Sequence, residues 1–220
     1  MAGSKPLGAR RMESPKNTHQ WVAGGLNMDS TMIVLGRFQP FHRGHAAMIS
    51  AALKHLKANG SKNPLRICIG SSEAELSLEN PWNAEEREQM IQTWLDSNHA
   101  TEIGKTQIVQ VPDLNDPPNY VRHAEQFHGE AGSIFTSDRG TADLYEDAGW
   151  EAIIMQHENR SNWQGWRVRA TMQMMSTITD YEAVRAVLME SIPEEVVDFL
   201  IENDGLRRLA FMGHGGEPVG

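Results

Sequence analysis

Five short apolar runs alternate with helix-like segments along this chain, and that alternation restricts the fold more than any single residue does. Met32-Ile33-Val34-Leu35, Leu65-Arg66-Ile67-Cys68-Ile69, Gln107-Ile108-Val109-Gln110-Val111, Ser133-Ile134-Phe135-Thr136 and Glu151 to Met155 each have the length of a strand. Helical spacing separates them. Ala47, Leu53 and Leu56 mark a helix over Ala46 to Ala58 that ends at Asn59-Gly60. Asn83 and Glu86 form a capping-box pattern, so a second helix starts at about Ala84 and carries Met90, Ile91, Trp94 and Leu95. Further helices are expected from Tyr120 to about Phe127, from Ala142 to Ala148, from Thr179 or Asp180 to Leu188, and from Pro193 to Asn203. Strand and helix in strict alternation imply an α/β fold, a doubly wound parallel sheet of about five strands with a C-terminal helical segment.

The first strand-to-helix junction, Gly36-Arg37-Phe38-Gln39-Pro40-Phe41-His42-Arg43-Gly44-His45, concentrates the chemistry. In open α/β sheets ligands bind beyond the carboxyl ends of the strands, and a helix N-terminus there presents free N–H groups to an anion. His42 and His45 are three apart, so both rings can face one point at the helix mouth, with Arg37 approaching from the strand end and Gly44 letting backbone come close. The junction therefore reads as a phosphate site. A zinc site would need three or four ligands, and neither cysteine nor carboxylate lies nearby in sequence.

At 220 residues, 40% hydrophobic and 22% charged, the chain suits one soluble globular domain with tails. Its net charge of −9 argues against a general binder of nucleic acid or anionic membrane, so phosphate must be held locally. No apolar run is long enough to span a membrane. The single cysteine, Cys68, sits in an apolar run and suits a buried thiol in a reducing compartment, and a cytoplasmic location is expected. Residues 1–28 are expected to be a disordered leader, 29–176 the main domain, 177–210 helices packed on it and 211–220 a flexible tail. Val196, Val197, Leu200 and Ile201 give the last helix an apolar face for the sheet or a neighbouring subunit, and a homo-oligomer is expected.

The G-R-F-Q-P-F-H-x-G-H stretch resembles the signature of the nucleotidyltransferase superfamily, and in its G-R-F-Q-P-F form the archaeal-type nicotinamide mononucleotide adenylyltransferases. Ile69-Gly70-Ser71-Ser72, Glu79-Asn80-Pro81-Trp82-Asn83-Ala84-Glu85-Glu86-Arg87, Val111-Pro112-Asp113-Leu114-Asn115, Tyr120-Val121 and Asn159-Arg160 extend the resemblance in the same order. It implies a Rossmann-like fold that joins ATP and nicotinamide mononucleotide into NAD and pyrophosphate, with Mg²⁺ carried by the phosphates and no metal held by the protein. It implies catalytic roles for His42, His45, Arg37 and Arg169. ATP and phosphate contacts would come from Gly36, Phe38, Gln39, Gly44, Arg160, Gln164 and Gly165. Nicotinamide mononucleotide would meet Ser71, Asn80, Trp82, Arg87, Asp113, Asn115 and Tyr120. One departure stands out. Where the family has Ser-Gly-Thr, this chain reads Gln164-Gly165-Trp166, keeping the glycine and Arg169 but neither hydroxyl. Another small-molecule nucleotidyl transfer, or a regulatory protein that binds nucleotide without turning it over, stays open on these residues.

Overall fold

The computed structural model describes residues 31–114, 116–155 and 163–212. Strands β1 (Thr31–Gly36), β2 (Leu65–Ile69), β3 (Thr106–Gln110), β4 (Gly132–Thr136) and β5 (Glu151–Ile154) form a sheet in the order β3-β2-β1-β4-β5, each neighbouring pair parallel. Val34 pairs with Ile67, and Ile67 with Ile108. The helices are α1 (Arg43–Ala58), α2 (Ala84–Asn98), α3 (Tyr120–His128), α4 (Arg139–Asp147), α5 (Gly165–Met175), α6 (Tyr181–Leu188), α7 (Glu194–Glu202) and α8 (Arg208–Met212).

Successive strand residues point to opposite faces, and the core divides accordingly. Met32, Val34, Leu65, Ile67 and Ile69 join one apolar cluster with Ile49 and Leu53 of α1, Met90 and Ile91 of α2, and residues of α5 to α8. Ile33, Cys68 and Ile134 join the other, with Val121 and Ala124 of α3 and Tyr145 of α4. The winding explains this division. From β1 to β3 the chain steps one way with helices on one face; from β3 it jumps past β1 to β4. A right-handed crossover in that reversed direction has to carry α3 on the opposite face. The C-terminal helices share the first cluster through Val184, Leu188, Val196, Val197, Leu200 and Leu209.

Besides α1, which begins three residues early at Arg43 behind the N-cap His42, two further elements differ from the sequence reading. α4 begins three residues early, because the Asp138 carboxylate caps it by accepting from Thr141 N at 2.8 Å and Thr141 Oγ1 at 3.0 Å. α8 was not foreseen and runs past residue 210. Five residues are too few to show a period, and it is held by burial of Leu209 and by the ion pair of Arg208 with Glu86.

On the second face His128 is fully buried at the end of α3. Its Nδ1 lies 3.0 Å from the Gly129 carbonyl, which can only accept, so Nδ1 carries the proton and Nε2 accepts from the Tyr145 hydroxyl at 2.9 Å. Burial pulls the His128 pKa down from its ordinary value. The unfolded chain therefore binds this proton first. Stability should be level above about pH 6.5, the unfolded histidine value, and decline as pH falls below it toward the folded pKa. Melting temperatures measured from pH 8 to 5 should show this slope in the native chain and a flatter one in His128→Gln; equal slopes would remove His128 as the cause.

Candidate active site

β1 ends at Gly36, and the turn to α1 is tightly built. Phe38 adopts a left-handed backbone with φ of 52° and its ring is fully buried, while the Gln39–Pro40 peptide is cis. His42 is the N-cap of α1, and its backbone N–H donates to His45 Nδ1 at 3.3 Å. That bond makes Nδ1 of His45 an acceptor, so in the neutral ring Nε2 is left as the donor. The two imidazoles stack with centroids 3.7 Å apart at 19°, and Phe38 meets His45 edge-on at 4.7 Å. Gly44 leaves room for the stack. A Cβ there would lie 3.0 Å from Cε1 of His42 and 3.3 Å from Trp163 Cβ, tight enough that the His42 ring would have to give by a few tenths of an ångström.

These rings open onto a cavity of about 230 Å³ between β1 and β4. The winding reverses between these two strands, which is where an open α/β sheet leaves a crevice at its carboxyl edge. Leu35, Gly36, His42, Gly44, His45 and Met48 line one side; Thr136, Ser137, Asp138 and Thr141 line the other, with Trp163 at the rim. The sequence reading assigned no function to Thr136, Ser137, Asp138 or Thr141. The available signal was that Ser137 and Asp138 follow a strand, as Arg37 does; that they face His42 depends on β4 pairing with β1.

Arg87 departs most from the sequence reading. It is 1% exposed, and its Nε donates to Asn83 O at 3.0 Å. Nη1 donates to Arg37 O and Gly70 O, both at 2.8 Å, and Nη2 to Ser71 O at 3.0 Å. Burial pushes its pKa down to about 10, with Asp113 and Glu85 opposing. Arg87 thus joins the loops after β1 and β2 and offers its guanidinium to backbone rather than ligand. Gln39 is engaged similarly: Nε2 donates to Trp82 O at 2.7 Å and Oε1 accepts from Trp82 N at 3.2 Å. Trp82 is itself 1% exposed within the core, and its ring presents no ligand face. The side chains of Phe38, Gln39, Trp82 and Arg87 are thus each packed into the fold, Gln39 and Arg87 on backbone partners and Phe38 and Trp82 within the core.

Arg37 is exposed at the end of β1. Arg169, on the second turn of α5, donates from Nη1 to Gln39 O at 2.7 Å. Burial and the neighbouring Arg37 charge lower its pKa, while Glu79 raises it. The two arginines thus flank the motif turn, outside the cavity's own lining. Gln164 caps the start of α5 and Gly165 is its first residue. Trp166 is 59% exposed, with its Nε1 on Gln164 Oε1 at 3.0 Å and the Arg167 guanidinium 5.1 Å above its ring. It has turned outward. Ser71 is buried in a left-handed turn, and Asn80 has a buried Oδ1 without a hydrogen-bond partner. Tyr120 is half-buried beside the second cluster; burial, then the Asp113 charge, push its hydroxyl up to about 12. Asp113 is exposed. Asn115, Asn159 and Arg160 lie outside the described residues, as do residues 1–30 and 213–220.

The structure is an α/β protein whose doubly wound sheet brings stacked imidazoles, a glycine at the helix start and strand-end hydroxyls to its switch point, where open α/β sheets take their ligands. The chain belongs to the cytidylyltransferase-like family, whose model matches residues 33–193. It is 27% identical over 186 residues to a Thermoplasma volcanium protein named nicotinamide-nucleotide adenylyltransferase, covering 84% of this chain and 94% of the relative. An Archaeoglobus fulgidus protein of the same name is 29% identical over 178 residues, 80% of this chain and 92% of the relative. Among solved structures it resembles a bifunctional NMN adenylyltransferase/ADP ribose pyrophosphatase from Francisella tularensis, with a TM-score of 0.60 and 18% identity over 83% of this chain. The chain spans about half of that protein, 53% of its length, so this likeness concerns the fold.

Proposed function

We propose that this chain is a nicotinamide-nucleotide adenylyltransferase. A 5′-phosphate oxygen of nicotinamide mononucleotide attacks the α-phosphorus of ATP; the new P–O bond forms as the bond to the β-phosphate bridge breaks, and that electron pair leaves on pyrophosphate. The stacked His42–His45 pair at the start of α1, in a chain similar along most of its length to archaeal enzymes of that name, carries this reading. A phosphate oxygen is already nucleophilic, so the protein's work is alignment and stabilisation of charge. His45 Nε2–H and His42 serve the transferring phosphate, the N-terminus of α1 at Gly44 receives an anion, and Arg37 and Arg169 meet the outer phosphates. Gly36, Gln164 and Gly165 let backbone approach, with Arg160 as a further phosphate contact.

Among the described residues no three His, Cys, Asp or Glu side chains converge on a metal, and cationic or imidazole groups facing a triphosphate suit an ion delivered with ATP. A Mg²⁺ ion brought in on the phosphates would supply charge neutralisation at the departing pyrophosphate, beside Arg37 and Arg169. For the acceptor, the buried partnerless Oδ1 of Asn80 suits a carboxamide N–H, and Ser71, Asp113, Asn115 and Tyr120 are the further residues assigned to nicotinamide mononucleotide. A cytoplasmic, self-associated enzyme fits this reading.

Incubation with ATP, Mg²⁺ and nicotinamide mononucleotide should yield NAD and pyrophosphate in equal amounts. ATP binding without either product at any Mg²⁺ concentration would make the chain a binding protein, and turnover only with a different acceptor would make it another nucleotidyltransferase. Trp166→Thr should change the KM for ATP by less than about threefold, because an exposed ring under Arg167 contributes only about 0.5–1 kcal/mol. A change above tenfold would put that ring on the adenine.

A further inference from the structure

The C-terminal helices reach the site at two points. After β1, the backbone N–H of Arg43, the first residue of α1, donates to Ser191 O at 2.8 Å, and Arg43 Nε donates to Met189 O at 2.8 Å, both in the turn between α6 and α7. On the opposite flank, Arg208 of α8 holds Glu86 in a fork, Nη1 to Oε2 at 2.8 Å and Nη2 to Oε1 at 2.6 Å, and Nη1 also donates to Pro81 O at 3.0 Å. Glu86 Oε2 in turn accepts from Asn83 N at 2.9 Å. Trp82 lies between these anchors and hands the constraint to the motif, because its backbone is the partner of Gln39. Gly205, just before α8, sits against Trp82 so closely that a Cβ would be 3.1 Å from the indole nitrogen.

We propose that the C-terminal helices are a brace that sets the site's geometry, with Arg208 as the positioning residue for the Asn80–Trp82 loop and Arg43 for the start of α1. Arg208 touches no reacting group. It fixes Pro81 and Glu86, which fix Trp82, which fixes Gln39 and so the turn bearing His42. The fork has two donors on one carboxylate plus one on a carbonyl, a geometry that a lysine ammonium cannot copy.

The test uses the full chain with Arg208→Ala and Arg208→Lys, read by hydrogen exchange and by kinetics. In Arg208→Ala, exchange should quicken about tenfold in peptides spanning residues 79–87 and at the Trp82 amide, while β1 and β2 keep their protection. On the adenylyl-transfer reading above, kcat/KM should fall about 10–100-fold, chiefly through the KM for nicotinamide mononucleotide, with Arg208→Lys intermediate. Exchange that rises equally across the sheet, or nowhere, would overturn the brace; so would loosened 79–87 peptides with unchanged kinetics when the native protein makes NAD. Local loosening in a protein whose native form makes no NAD would support the brace and refute the functional reading alone.

Discussion

Replacing His45 by alanine is expected to lower turnover about 10²–10³-fold, the range for losing one preorganised donor to charge that develops on phosphate oxygens. The ring is held on two sides, stacked on His42 at 3.7 Å and met edge-on by Phe38 at 4.7 Å, and its Nδ1 is occupied by the His42 N–H. A donor so fixed loses little freedom when the transition state forms. Alanine would also leave a hole against Phe38, so His45→Phe separates the two effects: it keeps the aromatic packing and removes the N–H. Both variants should lose turnover to a similar degree, with His45→Phe melting within a few degrees of the native protein. If His45→Phe keeps more than a fifth of native turnover, the histidine is a packing residue.

Arg87→Met should be the most destabilising single change in the site, by about 3–5 kcal/mol, because it strands carbonyls of Arg37, Gly70 and Ser71 beneath the guanidinium, while Asn83 O keeps the backbone N–H of residue 87. For a chain of this size the loss corresponds to a fall in melting temperature of roughly 10–15 °C. Below that temperature activity should also drop, since the loops after β1 and β2 lose their common anchor. Arg87→Lys should recover less than half of the loss, because one ammonium cannot reach four carbonyls spread over two loops and a helix turn. Calorimetry on both variants decides it. A melting temperature within 3 °C of native for Arg87→Met would mean that the carbonyls find other partners and that the guanidinium is no clamp.

Much of the fold could be read locally. Each strand stood within a residue or so of its expected place, and α2 begins at Ala84 because Asn83 and Glu86 exchange the two capping bonds their spacing implied. Of the two caps open for α6, Thr179 and Asp180, it is Asp180 that caps, accepting from the backbone N–H groups of Glu182 and Ala183. Such features depend on residues three or four apart, so neighbouring letters carry them. The motif at residues 36–45 was legible for the same reason: strand end, turn and helix start are contiguous.

What the sequence determined by itself, then, was the alternation of elements and the pairing of His42 with His45 on one helix start, both consequences of short-range sterics and hydrogen bonding. Tertiary structure decided the rest. Only the placing of β4 beside β1 brings Thr136, Ser137 and Asp138 across a cavity from the imidazoles, though about a hundred residues separate them. Arg87 in sequence is one charge among Glu85, Glu86 and Glu88 on a helix, and only the resemblance set it beside the nicotinamide mononucleotide segment. It becomes a buried clamp because the loops after β1 and β2 converge on it with three carbonyls that need a donor. Burial and hydrogen-bond demand at one point are set by chain segments far apart in sequence, and no local pattern encodes them.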